Sequence, residues 1–235
     1  DCELIDYDSI EQLVLIDHLT AAVVVEPIQG ATGFKVPSTK WLKALRQRCD
    51  EVGALLIFDE IQTGFGRTGQ LFAIDTFNIT PDILCIAKGM GGGMPIGCFI
   101  SSKENMDKLK DNPKLGHITT FGGHPVCCAA SLATLTNLLE DKNIIQSIER
   151  KELNFRENLK HPKIKEVRGK GLMLAIELDN AKLCQYLVEK GYEQGLIMFF
   201  FLFTNTAVRL SPPLIISEEE IIKACNTIKD ILNEV

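Results

Sequence analysis

Lys88 closes the apolar run Ile83-Leu84-Cys85-Ile86-Ala87 and opens the glycine-rich stretch Gly89-Met90-Gly91-Gly92-Gly93. An amine at the end of a buried strand, with little side chain beside it, is placed where desolvation frees it of its proton and leaves it room to attack a carbonyl. Asp59 ends another apolar run, Ala54-Leu55-Leu56-Ile57-Phe58, and a carboxylate there can hold a positive charge opposite the amine. Such a pair across one sheet edge suits pyridoxal phosphate, whose pyridine nitrogen takes an anionic partner and whose aldehyde takes an amine. From spacing alone this is the minority reading, since a lone strand-end lysine is usually a solvated one.

Two other motifs compete for the same region. Gly64-Phe65-Gly66-Arg67-Thr68-Gly69 has the literal spacing of a dinucleotide loop. Its first glycine comes five residues after Asp59, and Gln70–Asp75 is a poor helix start, so a structural glycine loop is the better reading. Leu55–Glu60 has the form of the strand and acid pair that holds magnesium in P-loop ATPases, but no G-x-x-x-x-G-K-[ST] segment accompanies it; Gly169-Lys170 is followed by Gly171. No metal site is expected.

The elements that must position these groups are legible in outline. The β-branched run Ala21–Glu26 is a strand buried on both faces. Ser38 caps a helix in which Trp41, Leu42, Leu45, Cys49 and Val52 recur at helical spacing until Gly53 stops it. A second strand follows at once. Strand, helix, strand is a right-handed βαβ unit, which puts Glu26 and Asp59 at the carboxyl ends where open α/β sheets gather ligands. Ile83–Ala87 and Ile96–Ile100 are further strands, Val126–Leu139 a close-packing helix and Asn143–Leu159 a polar one. The expected domains are 1–140 and 141–235. The second reads as an α+β module: a strand (Leu172–Leu178), a helix (Ala181–Lys190), two β-rich pieces (Leu196–Phe203, Ala207–Leu210) and a closing helix (Glu218–Val235).

The 235 residues, 46% hydrophobic and 24% charged, are those of a globular chain and exclude a disordered or fibrous one. No apolar stretch approaches the roughly 20 residues of a bilayer span. The net charge of −6, without a basic block, argues against nucleic acid as a partner. Eight cysteines without a C-x-x-C pair, most inside apolar runs, read as free thiols in a reducing compartment, hence a cytoplasmic location. The chain starts at Asp1 with neither an initiator methionine nor a signal-peptide pattern, as expected of an internal start.

Five segments together are far more specific than any one of them: Glu26–Gly30 (EPIQG), Phe58–Gly69 (FDEIQTGFGRTG), Pro81–Gly89 (PDILCIAKG), Thr119–Pro125 (TTFGGHP) and Val208–Leu214 (VRLSPPL). In this order they resemble the signature segments of the class III pyridoxal-phosphate aminotransferases. The resemblance covers nearly the whole chain and the C-terminal half or slightly more of a family member. It implies fold type I: part of the large domain with its parallel or mixed sheet, followed by the small C-terminal domain.

Carried over by position, the resemblance makes Lys88 the lysine that bonds the cofactor and Asp59 the partner of the pyridine nitrogen. It places Ile61 on the ring and Gln62 on the phenolic oxygen. Thr120 matches the threonine that reaches the cofactor phosphate of the neighbouring subunit, which implies a homodimer with shared active sites. Arg209 matches the arginine that binds a substrate carboxylate, a task suited to a planar bidentate donor. The implied activity is transamination between an amino acid or ω-amine of the ornithine, acetylornithine or putrescine type and a 2-oxo acid such as 2-oxoglutarate. An aminomutase or decarboxylase could use the same residues, and a truncated interaction module without catalysis is the reading from another class. Three departures stand out. The family's phosphate loop and stacking aromatic would precede Asp1, His124 stands where asparagine is common, and Ala31 replaces a glutamate that pairs with the carboxylate-binding arginine. Arg209 without that glutamate is expected to prefer ligands that bring it a carboxylate in both half-reactions.

Overall fold

A computed structural model describes residues 2–114 and 117–235. They form two compact units, one of Asp1–Pro27, Pro37–Phe65 and Phe72–Glu140, the other of Ile28–Val36, Gly66–Leu71 and Asp141–Val235.

In the first unit β1 (Ala22–Val25), β2 (Leu55–Asp59), β3 (Ile83–Ile86) and β4 (Cys98–Ser101) form one sheet in that order. The first three run parallel and β4 returns antiparallel. The crossover helix α1 (Thr39–Val52) turns Trp41, Leu42, Leu45 and Cys49 inward, each at most 1% exposed. Ser38 Oγ accepts the Trp41 N–H at 3.2 Å, a cap worth about 1 kcal/mol. At the other end Gly53 adopts φ +78°, and its N–H closes the helix on Cys49 O at 2.9 Å. Two short helices, α2 (Ala73–Phe77) and α3 (Lys103–Asp107), flank β3 and β4 in the chain, and α4 (Pro125–Glu140) ends the unit. The apolar composition of α4 extends round its circumference, yet only Leu138 is buried; Val126 and Leu132 are exposed, as are Val24 on β1 and Phe99 and Ile100 on β4.

The second unit contains β5 (Ile164–Lys170), β6 (Met173–Leu178), β7 (Phe199–Phe200) and β8 (Ala207–Leu210), an antiparallel sheet of order β5-β6-β8-β7. Its helices are α5 (Lys142–Gln146), α6 (Ile148–Asn158), α7 (Ala181–Glu193) and α8 (Glu218–Asn233). Leu174, Ile176 and Leu178 of β6 pack with Phe155 of α6, Leu187 of α7 and Ile221, Cys225 and Ile228 of α8 in one core. A capping box starts α8: Glu220 N–H donates to Ser217 Oγ and Ser217 N–H to Glu220 Oε2.

Several details differ from the sequence reading: β1, expected to be buried on both faces, leaves Val24 exposed, and α4, expected to be close-packing, buries only Leu138. The helix expected over Asn143–Leu159 is split into α5 and α6 at Ser147, with Asp141 capping the first piece through Asn143 N–H. Strand β5 is an addition, since the charges of Lys165, Glu166, Arg168 and Lys170 hid its alternation. The second unit also takes in two earlier segments through backbone bonds. Leu172 N–H donates to Arg67 O, Arg67 Nη1 donates to Pro212 O at 2.5 Å, and Phe203 N–H donates to Ala31 O at 3.1 Å. Among the described residues no helix is long and apolar enough to cross a membrane.

Candidate active site

The register of β2 against β3 pairs Asp59 with Cys85, and Glu60 N–H donates to Cys85 O at 2.9 Å. The two strands therefore end together. Asp59 is half-buried, and its Oδ1 accepts the Ile61 N–H at 2.9 Å in a turn that directs the chain away from the sheet. The second carboxylate oxygen is left for another donor. Lys88 follows three residues after Cys85 on the neighbouring strand, at the start of a 3-10 turn over Lys88–Gly91. Its φ is +44°, a left-handed conformation that costs an L residue roughly 1–2 kcal/mol. Such outliers cluster at functional positions.

Lys88 and Gly89 are exposed, so the desolvation expected of the lysine is not supplied by the described residues. Behind them lies a residue the sequence reading assigned only to a loop. A Cβ on Gly89 would come within 3.3 Å of Phe65 Cβ, so Phe65, itself 7% exposed and held edge-on by Phe72 at 5.8 Å, backs the lysine turn closely, and a side chain at position 89 would require it to give by a few tenths of an ångström. The Gly64–Gly69 loop is thus a structural support, in keeping with the sequence reading.

Glu60 has a different fate from its neighbour. It is fully buried, and its carboxylate accepts Thr63 Oγ1–H at 2.9 Å, Ala73 N–H at 2.6 Å and Ile74 N–H at 2.8 Å. It is the N-terminal anchor of α2. Burial pushes its carboxyl above the usual range, against the opposing pull of these donors. With Glu60 committed in this way, Asp59-Glu60 is not a paired acid site for a metal. Burial likewise pushes the Cys85 thiol up, with a smaller contribution from the Asp59 carboxylate.

Ile61 and Gln62 are half-buried on the turn leaving β2, beside Asp59 in sequence. Thr120 is exposed on the segment leading to α4. His124 O accepts Cys128 N–H at 2.9 Å, so His124 supplies the first helical carbonyl of α4. Asp59, Ile61, Gln62 and Lys88 are thus gathered at one sheet edge, and Thr120 lies elsewhere in the same unit.

Arg209 belongs to the second unit, on β8 opposite Ala175 of β6 and Phe199 of β7. Its guanidinium carbon lies 5.2 Å from the Phe34 ring centroid and 5.1 Å from that of Phe201. Its Nε is buried without a hydrogen-bond partner, and burial lowers its pKa from the ordinary value. Sequence reasoning found the arginine and missed both rings, which are distant in the chain and carry no motif.

Residues 4–232 match the family model for class III aminotransferases. Over 225 residues the chain is 39% identical to an acetylornithine aminotransferase of Caldanaerobacter subterraneus, covering 94% of this chain and 55% of that protein. The ornithine aminotransferase of Toxoplasma gondii, whose structure shows partial occupancy of pyridoxal phosphate at the active site, superposes with a TM-score of 0.89 at 38% identity, over 99% of this chain and 56% of the other. The acetylornithine aminotransferase of Elizabethkingia anophelis does so with a TM-score of 0.88 at 34% identity, over 98% and 59%. The chain spans little more than half the length of these relatives.

Proposed function

Because the chain belongs to the class III aminotransferases, we propose that it is the part of a pyridoxal-phosphate transaminase that supplies the cofactor-bonding lysine and the carboxylate-binding arginine. The reaction moves an amino group from a donor of the ornithine or acetylornithine class to a 2-oxo acid such as 2-oxoglutarate. The observation that carries this reading is the common ending of β2 and β3, which puts Asp59 and Lys88 at adjacent strand ends.

The donor set fits the cofactor. Asp59 keeps one oxygen for a protonated ring nitrogen while the other is fixed by Ile61 N–H. Pyridoxal phosphate, when bound, supplies the electron sink. Lys88 would hold the cofactor through its Nζ and, with that amine free, would serve as the base that moves the proton at the substrate carbon bearing nitrogen. Asp59 holds a positive charge at the ring nitrogen throughout, an electrostatic role that a neutral amide cannot fill. Ile61 would cover the ring, Gln62 would donate to the phenolic oxygen, and Thr120 would hold the phosphate of the neighbouring subunit's cofactor in a homodimer. Arg209 binds the substrate carboxylate. The eight free thiols support a reducing, cytoplasmic setting.

The test is the visible absorption band of the cofactor-loaded protein. Borohydride should bleach it irreversibly and leave the cofactor's mass on the peptide containing Lys88. Lys88→Ala should lose the band and turnover together, and a fully active Lys88→Ala protein would overturn the assignment. Asp59→Asn should fold normally and lose several kcal/mol of transition-state stabilisation.

A further inference from the structure

We propose that Phe34 and Phe201 form an aromatic clamp that keeps Arg209 a fixed, permanently available carboxylate site, and so select substrates that present a carboxylate there in both half-reactions. The proposal rests on the reading of Arg209 as the substrate-carboxylate residue and adds the two residues that set its selectivity.

The clamp is built by the sheet of the second unit. Phe34 is fully buried and Phe201 is 6% exposed; their rings meet edge to face at 4.8 Å and 90°. The Ile28–Val36 segment that carries Phe34 is closed on itself by one bond and tied to the rest of the unit by two. Gln29 N–H donates to Lys35 O at 3.0 Å, Phe203 N–H to Ala31 O at 3.1 Å and Arg168 Nε–H to Gly33 O at 2.5 Å. Phe34 itself is held at φ +54°. The second of these bonds also ties the segment to the residues just after Phe201. Below the guanidinium, Ala175 is fully buried and offers only a methyl group at the position paired with Arg209.

The chemistry of the clamp differs from that of an acid in one respect that decides the outcome. A carboxylate partner would occupy the guanidinium donors and have to withdraw before a ligand could bind. An aromatic face attracts the cation through its quadrupole and accepts none of those hydrogen bonds. Glu177 and Glu166 on the same sheet pair with Arg168 at 2.6 and 3.6 Å, and residue 31 is alanine. Arg209 Nε is buried and has no partner among the described residues, so it is the half-exposed outer end of the guanidinium that remains for an incoming carboxylate. A diamine brings no such oxygen and would leave the desolvated cation without a partner.

The experiment is a titration of the protein, labelled with nitrogen-15 at arginine, with glutarate, a dicarboxylate that can neither donate nor accept an amino group. The Arg209 Nε–H resonance should shift and saturate with glutarate and stay in place with putrescine. Phe34→Leu and Phe201→Leu should each weaken glutarate binding roughly fivefold, the equivalent of about 1 kcal/mol of cation–π contact. Phe34→Tyr should retain it. In the cofactor-loaded protein, the same leucine variants should raise KM for 2-oxoglutarate by a larger factor than they lower kcat. An Arg209 resonance unmoved by saturating glutarate, or folded leucine variants that bind it as tightly as the wild type, would overturn the clamp. Should Phe34→Leu fail to fold, Phe201→Leu decides. Glutarate binding without transamination would count against the enzymatic reading and leave the clamp standing; transamination without glutarate binding would do the reverse.

Discussion

Replacing Glu60 by alanine leaves the Ala73 and Ile74 N–H groups at the start of α2, and the Thr63 hydroxyl, without their acceptor. Hydrogen bonds to a charged group contribute about 1.5 kcal/mol or more each, which sets a gross loss of roughly 4–5 kcal/mol. Removing a buried charge returns part of this, so the net destabilisation should be about 2–3 kcal/mol. For a chain of this size that lowers the melting temperature by roughly 4–12 °C. Glu60→Gln keeps one acceptor oxygen and should lose about half as much. The pH dependence has a definite sign. The carboxyl pKa is raised on folding above its ordinary value of 4.5, so the folded state holds the proton more tightly than the unfolded one. The associated stability is complete below 4.5 and declines as pH rises through the folded value. Glu60→Gln cannot titrate, so its deficit relative to wild type should narrow from acid toward neutral pH. Calorimetric scans of the three proteins across that range give the answer. A Glu60→Ala protein that melts with the wild type would refute the anchoring role.

Subunit exchange and thiol chemistry test other parts. If Thr120 serves the neighbour's cofactor, mixing inactive Lys88→Ala with inactive Thr120→Ala subunits should restore activity, because one site of the mixed dimer then has both groups; no recovery after confirmed exchange would argue for sites built within single chains. Burial pushes the Cys49 and Cys184 thiols up to about 11 and Cys225 to about 12. These three should resist alkylation until the protein unfolds while the exposed Cys2 and Cys128 react at once, and peptide mass mapping reads the order directly.

The parts legible in the sequence were those in which local chemistry and tertiary role agree. The Ala22–Val25 run, the Ser38 cap and the Gly53 stop define β1, α1 and β2 without help from distant residues, and with β3 they place Asp59 and Lys88 at neighbouring strand ends. Strand β5 was hidden because Ile164 and Val167 are its only large apolar residues and four of its seven residues are charged. At the helix break Ser147 Oγ–H donates to Ile144 O at 2.9 Å, a local side-chain bond no periodicity records. The surroundings of Arg209 were illegible for a different reason. Phe34 reads as a turn residue and Phe201 as part of an apolar strand, and it is tertiary contacts, among them the backbone bond between Phe203 and Ala31, that bring their segments together. Gly89 told a similar story, since its close neighbour is Phe65 in a loop read as unrelated.

The left-handed backbone of Lys88 sets stability against usefulness at a single position. Glycine carries no penalty at φ +44°, so Lys88→Gly should make the cofactor-free protein about 1 kcal/mol more stable while removing the one amine on which the proposed chemistry depends. Directed evolution for heat resistance alone would then be drawn toward loss of the lysine, and only a selection that demands turnover would hold it in place.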